Sequence, residues 1–113
     1  MHEYGITERV VTAVTERMPG VPIACVRLEI GSLSGVSADS VRFYFDMAAE
    51  GTNLAGARLE ISEIPARCRC GSCGAEFEPD GPIPLCPCGS PDAAVLSGGG
   101  MRILSVEATP APA

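Results

Sequence analysis

The sequence contains no lysine and no tryptophan, and only 4% of its 113 residues are aromatic. All eight basic residues are arginines scattered along the chain, and 14 acidic residues bring the formal net charge to −6. Because binding to a phosphate backbone depends on clustered basic side chains, this composition argues against a protein that binds nucleic acid.

Long apolar runs are also missing. None approaches the length of about 18 residues that a membrane-spanning helix requires, so we expect no membrane partner. Residues 1–4 lack the basic and apolar regions of a signal peptide. We therefore expect a soluble cytoplasmic protein, in which cysteines serve as metal ligands or free thiols rather than disulfides.

Helix and strand patterns alternate over most of the chain. Apolar residues recur at steps of three and four from Ile6 to Met18, which predicts an amphipathic helix. A second helix is predicted after Ser37, a good N-terminal capping residue. Alternating apolar and charged residues predict three strands, at 23–30, 57–64 and 101–106.

Residues 65–98 interrupt this pattern, since they hold five of the six cysteines and show almost no apolar periodicity. Such a segment has no core of its own, so we expect a metal ion to order it. The predicted fold is a small α+β or α/β domain, with a three-stranded mixed sheet and two helices, plus an inserted zinc-ribbon-like domain. The predicted parts are an α/β domain at 1–64 and 99–109, a metal-binding insert at 65–98 and a disordered tail at 110–113.

Two cysteine pairs in the insert have the spacing of zinc ligands. Cys70 and Cys73 are followed by Gly74, which permits the tight turn that aims backbone amides at sulfur. Cys86 and Cys88 form the second pair, and twelve residues separate it from Cys73. Four thiolates make the closed tetrahedral arrangement that is typical of a structural zinc site.

Free thiols and disulfides are the alternatives, but five cysteines within 21 residues are an odd number and cannot all pair. Cys68 competes with Cys70 as a ligand, and the second pair is one residue shorter than the usual Cys-x2-Cys. We favour Cys70, because only Cys70 forms the full knuckle with Cys73. The sixth cysteine, Cys25, lies in a predicted strand and is interpreted as a packed apolar side chain.

The only histidine of the chain is His2. The simplest interpretation is a solvated terminal side chain. However, the amine of Met1, the backbone nitrogen of His2 and its imidazole form consecutive small chelate rings, and Glu3 adds a further nitrogen or oxygen. Square-planar coordination by such donors suits Ni(II) and Cu(II), so the terminus is a second predicted metal site.

Several motifs occur in a fixed order along residues 1–108. They are Met1-His2-Glu3, Leu28-Glu29-Ile30-Gly31-Ser32-Leu33-Ser34, Arg42-Phe43-Tyr44-Phe45, Ala57-Arg58-Leu59-Glu60-Ile61, the cysteine cluster and Leu104-Ser105-Val106-Glu107. With this combination the chain resembles the HypA/HybF family of hydrogenase nickel-incorporation proteins. The resemblance implies delivery of Ni(II) to the [NiFe]-hydrogenase large-subunit precursor, together with a nickel-handling maturation GTPase (HypB-like).

The resemblance also implies which residues bind each metal. The nickel ligands would be His2, the Met1 amine and Glu3. Asp39 falls where some relatives bear an acid near the nickel end, although a favourable charge at a helix start is an equally good interpretation. The zinc ligands would be Cys70, Cys73, Cys86 and Cys88.

These patterns predict a nickel metallochaperone, a monomer or weak homodimer, in which zinc is structural and Ni(II) is cargo. No nucleophile–base pair is visible, so we do not expect an enzyme. One alternative is a zinc-ribbon module that binds nucleic acid, which the net charge of −6 argues against. The other is a structural adaptor whose zinc domain docks a partner and whose terminus binds nothing.

Overall fold

The computed structural model describes residues 2–110, so the Met1 amine and residues 111–113 of the predicted tail at 110–113 lie outside the described residues. The chain divides into two compact units, and the second consists of Glu29–Val36 and Glu63–Arg102. The remaining described residues form the first unit. The elements are α1 His2–Arg17, β1 Ile23–Gly31, α2 Ala38–Ala49, β2 Arg58–Ile64, β3 Arg67–Cys70, β4 Glu76–Phe77, β5 Ala93–Ser97 and β6 Met101–Ala108.

Helix α1 begins at His2, one turn earlier than the apolar spacing from Ile6 predicts. The first turn has no apolar stripe, so hydrophobic spacing does not reveal it. Instead, the buried hydroxyl of Thr7 donates a hydrogen bond to the carbonyl oxygen of Glu3 at 2.6 Å. His2 and Glu3 therefore belong to the first helical turn. The buried face of α1 consists of Thr7, Val10, Val11 and Val14.

Helix α2 begins where its capping residue predicts. The hydroxyl of Ser37 accepts a hydrogen bond from the backbone amide of Ser40 at 3.2 Å, which satisfies one of the free amides of the first turn. The helix packs against α1. Its buried face consists of Ala38, Val41, Phe45 and Ala49, which leaves the opposite face to solvent.

The three long strands form one mixed sheet in the order β2-β1-β6. The amide of Ser32, just after β1, donates to the carbonyl of Ile64 at the end of β2, so these strands run in the same direction. The amide of Gly31 donates to the carbonyl of Gly100, just before β6, so β6 runs antiparallel to β1. The predicted fold class is confirmed, and Cys25 is fully buried in β1 as expected.

The second unit contains regular structure that the sequence pattern did not reveal. Strand β3 pairs antiparallel with β4 and with β5. The expectation that the cysteine-rich segment has no core was wrong, because four of its residues form a buried cluster, in which Cys68 packs as a small apolar side chain. This core consists of Cys68, Cys70, Phe77 and Cys86, with Leu33 and Ala93 packed against it.

The turn that carries Leu33 is held tightly against residues 98–100. The amide of Leu33 donates to the carbonyl of Gly98 at 3.0 Å, and a Cβ atom at Gly31 would overlap the backbone of Gly98. We therefore expect Gly31→Ala to lower the free energy of unfolding by about 2 kcal/mol or more, as measured by urea denaturation.

Gly5 provides the matched control, because it lies in α1 with open space around the position of a Cβ atom. Gly5→Ala should raise the free energy of unfolding by about 0.5–1 kcal/mol, since alanine is the better helix former. Equal effects of the two substitutions would contradict the close approach at Gly31.

Candidate metal centres

The first cysteine loop starts where β3 ends. The backbone amides of Ser72 and Cys73 donate hydrogen bonds to the Sγ atom of Cys70 at 3.3 and 3.4 Å. The amide of Gly74 donates to the carbonyl of Cys70 at 3.0 Å, and Gly74 has a positive φ of 78°, which explains the glycine at this place. The turn therefore stabilises a thiolate at Cys70.

The second loop is shorter and has fewer amide donors to sulfur. The amide of Cys88 donates to the Sγ atom of Cys86 at 3.5 Å, and Pro87 between them has no N–H group to offer. Gly89 closes this turn by donating to the carbonyl of Cys86 at 2.8 Å, with a positive φ of 94°. The shortened pair thus forms a turn that faces the first loop.

Polar contacts that the cysteine spacing does not predict connect the two loops. The hydroxyl groups of Ser72 and Ser90 are hydrogen-bonded at 2.7 Å, and the amide of Gly71 donates to the carbonyl of Asp92 at 2.7 Å. A signal for the serine pair exists in the sequence, because both Cys70 and Cys88 begin the same Cys-Gly-Ser triplet. These two hydrogen bonds hold the loops at a fixed distance from each other.

Four sulfur atoms converge between the loops. The Sγ atoms of Cys70, Cys73, Cys86 and Cys88 all lie within 4.8 Å of one another, and the pairs Cys70–Cys88 and Cys73–Cys86 are both 3.7 Å apart. Zinc–sulfur bonds of about 2.3 Å place the sulfur atoms of a tetrahedral site about 3.8 Å apart, so the donor set fits zinc in number, type and spacing. The structure groups Cys70, rather than Cys68, with the other three.

The pKa values of Cys70 and Cys86 are shifted in opposite directions. The amide of Cys73, and then that of Ser72, lowers the pKa of Cys70 to about 6 against the opposing effect of burial. The amide of Cys88 lowers the pKa of Cys86, but burial and the neighbouring sulfur atoms outweigh it and raise this pKa to about 12. Negative charges this close repel one another, so four thiolates require a cation between them.

The donors at the amino terminus lie on the first turn of α1. The imidazole of His2 is 62% exposed, and its Nε2 atom lies 3.1 Å from the Oε2 atom of Glu3. The side chain of Glu3 is only 15% exposed, and its carbonyl accepts from Thr7. The structure therefore brings two of the predicted nickel ligands, His2 and Glu3, together, whereas Met1 lies outside the described residues.

Asp39 lies in the first turn of α2, where its side chain is 95% exposed. One carboxylate oxygen lies 2.8 Å from the Nη1 atom of Arg42, one helical turn later. This contact corresponds to the interpretation of Asp39 as a favourable charge at a helix start. A role for Asp39 in nickel binding stays a prediction.

The sequence of the chain matches the model of a known protein family. The family model described as "Hydrogenase/urease nickel incorporation, metallochaperone, hypA" matches residues 1–108. The chain belongs to the HypA family. HypA proteins are metallochaperones that act in nickel incorporation during hydrogenase maturation.

Relatives of this HypA chain match it along nearly the whole length. It is 45% identical over 107 residues to the hydrogenase maturation factor HypA of Nostoc punctiforme, and the match covers 95% of each chain. It is 42% identical over 108 residues to HypA of Geobacter metallireducens, covering 95% of this chain and 98% of that one.

The fold is shared with solved HypA structures. The solution structure of the Ni metallochaperone HypA from Helicobacter pylori matches with a TM-score of 0.63 at 21% identity, over 94% of this chain and 96% of that one. A second solution structure of a HypA protein matches with a TM-score of 0.65 at 23% identity, over 96% and 97%. Among the described residues, no helix is long and apolar enough to cross a membrane.

Proposed function

We propose that this HypA chain binds Ni(II) at its amino terminus and delivers it to the [NiFe]-hydrogenase large-subunit precursor. The observation that carries the proposal is the placement of the exposed imidazole of His2 beside the carboxylate of Glu3 in the first helical turn, with 3.1 Å between Nε2 and Oε2. Nitrogen and carboxylate donors are ligands that Ni(II) accepts. Membership of a nickel-incorporation family supports nickel as the metal that is handled.

The start of α1 also makes backbone nitrogens available as ligands. A backbone nitrogen binds nickel only after it has lost its proton. The first four amides of a helix have no intrahelical acceptor, and those of His2 and Glu3 are among them because α1 begins at His2. Deprotonation there breaks no hydrogen bond of the helix, whereas the same step further along α1 would break one.

Two features favour release of the nickel ion. The imidazole is exposed to solvent, so an acceptor protein can replace one ligand at a time. The amino terminus of a helix carries about half a positive charge, which opposes a bound cation, and the carboxylate of Glu3 offsets it only in part. An open site of this kind suits a cargo that has to be transferred.

The four-cysteine site has the opposite character. Cys70, Cys73, Cys86 and Cys88 would hold zinc in a closed set of four thiolates, with no open position for cargo or catalysis. Zinc bound there supplies folding free energy to the second unit. We therefore assign zinc a structural role.

The proposed transfer takes place in the cytoplasm with the large-subunit precursor and a nickel-handling maturation GTPase (HypB-like). It requires neither nucleic acid nor a membrane. The protein acts by exchanging ligands, and we propose no catalytic activity for it.

Nickel binding should depend steeply on pH. Imidazole and α-amino groups exchange protons between about pH 6 and 8, and each nitrogen ligand must lose its proton before it binds metal. We expect Ni(II) affinity to fall by at least about tenfold for each unit from pH 8 to 6, as measured by calorimetric titration of tag-free protein that starts at Met1.

Zinc content provides the internal control, because a closed four-thiolate site should keep its metal over the same pH range. A nickel affinity that stays constant from pH 8 to 6 would exclude a site made of terminal nitrogens. The adaptor alternative predicts no nickel binding at any of these pH values.

A further inference from the structure

The outer face of α2 exposes two large apolar side chains. Phe43 is 74% exposed and Met47 is 55% exposed, and they lie one helical turn apart, so they form one patch. The opposite face of the helix is buried in the first unit. Exposed aromatic and methionine side chains are enriched in protein–protein interfaces.

Three carboxylates lie on this same face. Asp39, Asp46 and Glu50 are exposed and follow the helical spacing of Phe43 and Met47. Asp46 lies near the end of α2 and Glu50 caps it, whereas the last turn contains no basic residue. Acidic groups at the carboxyl end of a helix add to its negative dipole, so this end of the face carries a concentrated negative charge.

An aromatic row connects the patch to the nickel terminus. The ring of Phe43 lies 5.1 Å from that of Tyr44, edge to face, and Tyr44 lies 5.4 Å from Tyr4 in the same geometry. Tyr4 is two residues after His2 in α1, a rise of about 3 Å along the helix axis. A protein bound at Phe43 is therefore close to the proposed nickel ligands.

Charge decides what kind of molecule fits this face. A second copy would bring carboxylates against carboxylates, and phosphate groups of lipids or nucleic acids would also be repelled. A protein surface with an apolar recess bordered by Arg or Lys would pair with the carboxylates of Asp46 and Glu50 and with the negative end of α2, whereas Asp39 already pairs with Arg42.

We propose that the outer face of α2 (Asp39, Phe43, Asp46, Met47 and Glu50) is the docking surface for a basic protein partner in nickel transfer. This inference rests on the proposed transfer function, because that function requires a partner near His2. The face holds the partner while nickel passes at the adjacent terminus.

The test measures the affinity of the purified, zinc-loaded protein for the purified large-subunit precursor and, separately, for the purified maturation GTPase. Phe43→Ser should weaken binding to at least one of them by about tenfold or more, as loss of an aromatic anchor does. Leu96→Ser is the matched control, since Leu96 is also an exposed apolar residue. Met47→Ser serves as the second variant if Phe43→Ser is poorly folded.

The charges are tested by the double substitution Asp46→Lys and Glu50→Lys. It should slow association about tenfold or more, and raising the salt concentration should do the same to the unchanged protein. Glu8→Lys with Glu16→Lys is the control, because both residues are exposed on α1. Nickel affinity should be unchanged in all of these variants.

Three results would overturn the docking surface. One is that the Phe43 and Met47 variants bind both partners within about twofold of the unchanged protein. Another is an equal loss with Leu96→Ser, and the third is loss of a homodimer instead of partner binding. A failure of the nickel site is detected separately, because it would abolish nickel binding in the unchanged protein.

Discussion

Cys73→Ala should abolish zinc binding and unfold the second unit while the first unit stays folded. The Sγ atom of Cys73 lies 3.7 Å from that of Cys86, and removing it leaves three sulfur atoms where a closed site needs four. Zinc contributes about 10–16 kcal/mol to the folding of small zinc peptides, far more than a core of three cysteines and one phenylalanine supplies. Metal analysis and hydrogen exchange of residues 63–102 measure both effects.

Cys68→Ala is the matched control. Cys68 is equally a cysteine of the second unit and is fully buried, but its sulfur is not in the group of four. This variant should keep about one zinc ion per chain and lose stability only through the smaller side chain. If Cys68→Ala loses zinc and Cys70→Ala keeps it, the ligand assignment is wrong.

His2→Ala should abolish nickel binding at the terminus and leave folding and zinc content unchanged. The imidazole is 62% exposed and belongs to neither core, so its removal affects only the chelate. We expect Ni(II) affinity to fall by about 100-fold or more, because the chelate loses the imidazole and the ring that it closes with the backbone nitrogen of His2. Hydrogenase in cells that produce this variant should lack nickel unless excess nickel is supplied.

Glu16→Ala is the control for this experiment, since Glu16 is an exposed residue at the other end of α1. It should leave nickel binding and hydrogenase maturation unchanged. Normal maturation by the His2→Ala protein at limiting nickel would show that the transfer site lies elsewhere.

The helices and strands of the first unit could be predicted from the sequence, because the burial of one face of each element gives the sequence a regular spacing of apolar residues. The stripe around Val10 and Val14, the cap at Ser37 and the alternation in β1 are all direct consequences of one face packing and the other facing water. The apolar spacing did not predict the first turn of α1, because a hydrogen bond from Thr7 stabilises this turn and no apolar stripe runs through it.

The second unit was harder to predict for a physical reason. Strand β3 alternates exposed and buried residues, but its buried residues are Cys68 and Cys70, which are interpreted from the sequence as a spare thiol and a metal ligand and not as core. The spacing of Cys70 and Cys73 revealed the first loop, whereas the hydrogen bond between Ser72 and Ser90 depends on how the two loops meet in space. Spacing along the chain carries no information about that contact.

Nickel titration of two tag-free proteins, one starting at Met1 and one with a single glycine added before it, tests the central claim most directly. The addition leaves His2, Glu3 and both cores intact but moves the free amine out of the chelate rings. We predict that the extended protein binds Ni(II) at least about tenfold more weakly, with unchanged zinc content and helix content. Equal nickel affinity of the two proteins would contradict a chelate at the amino terminus.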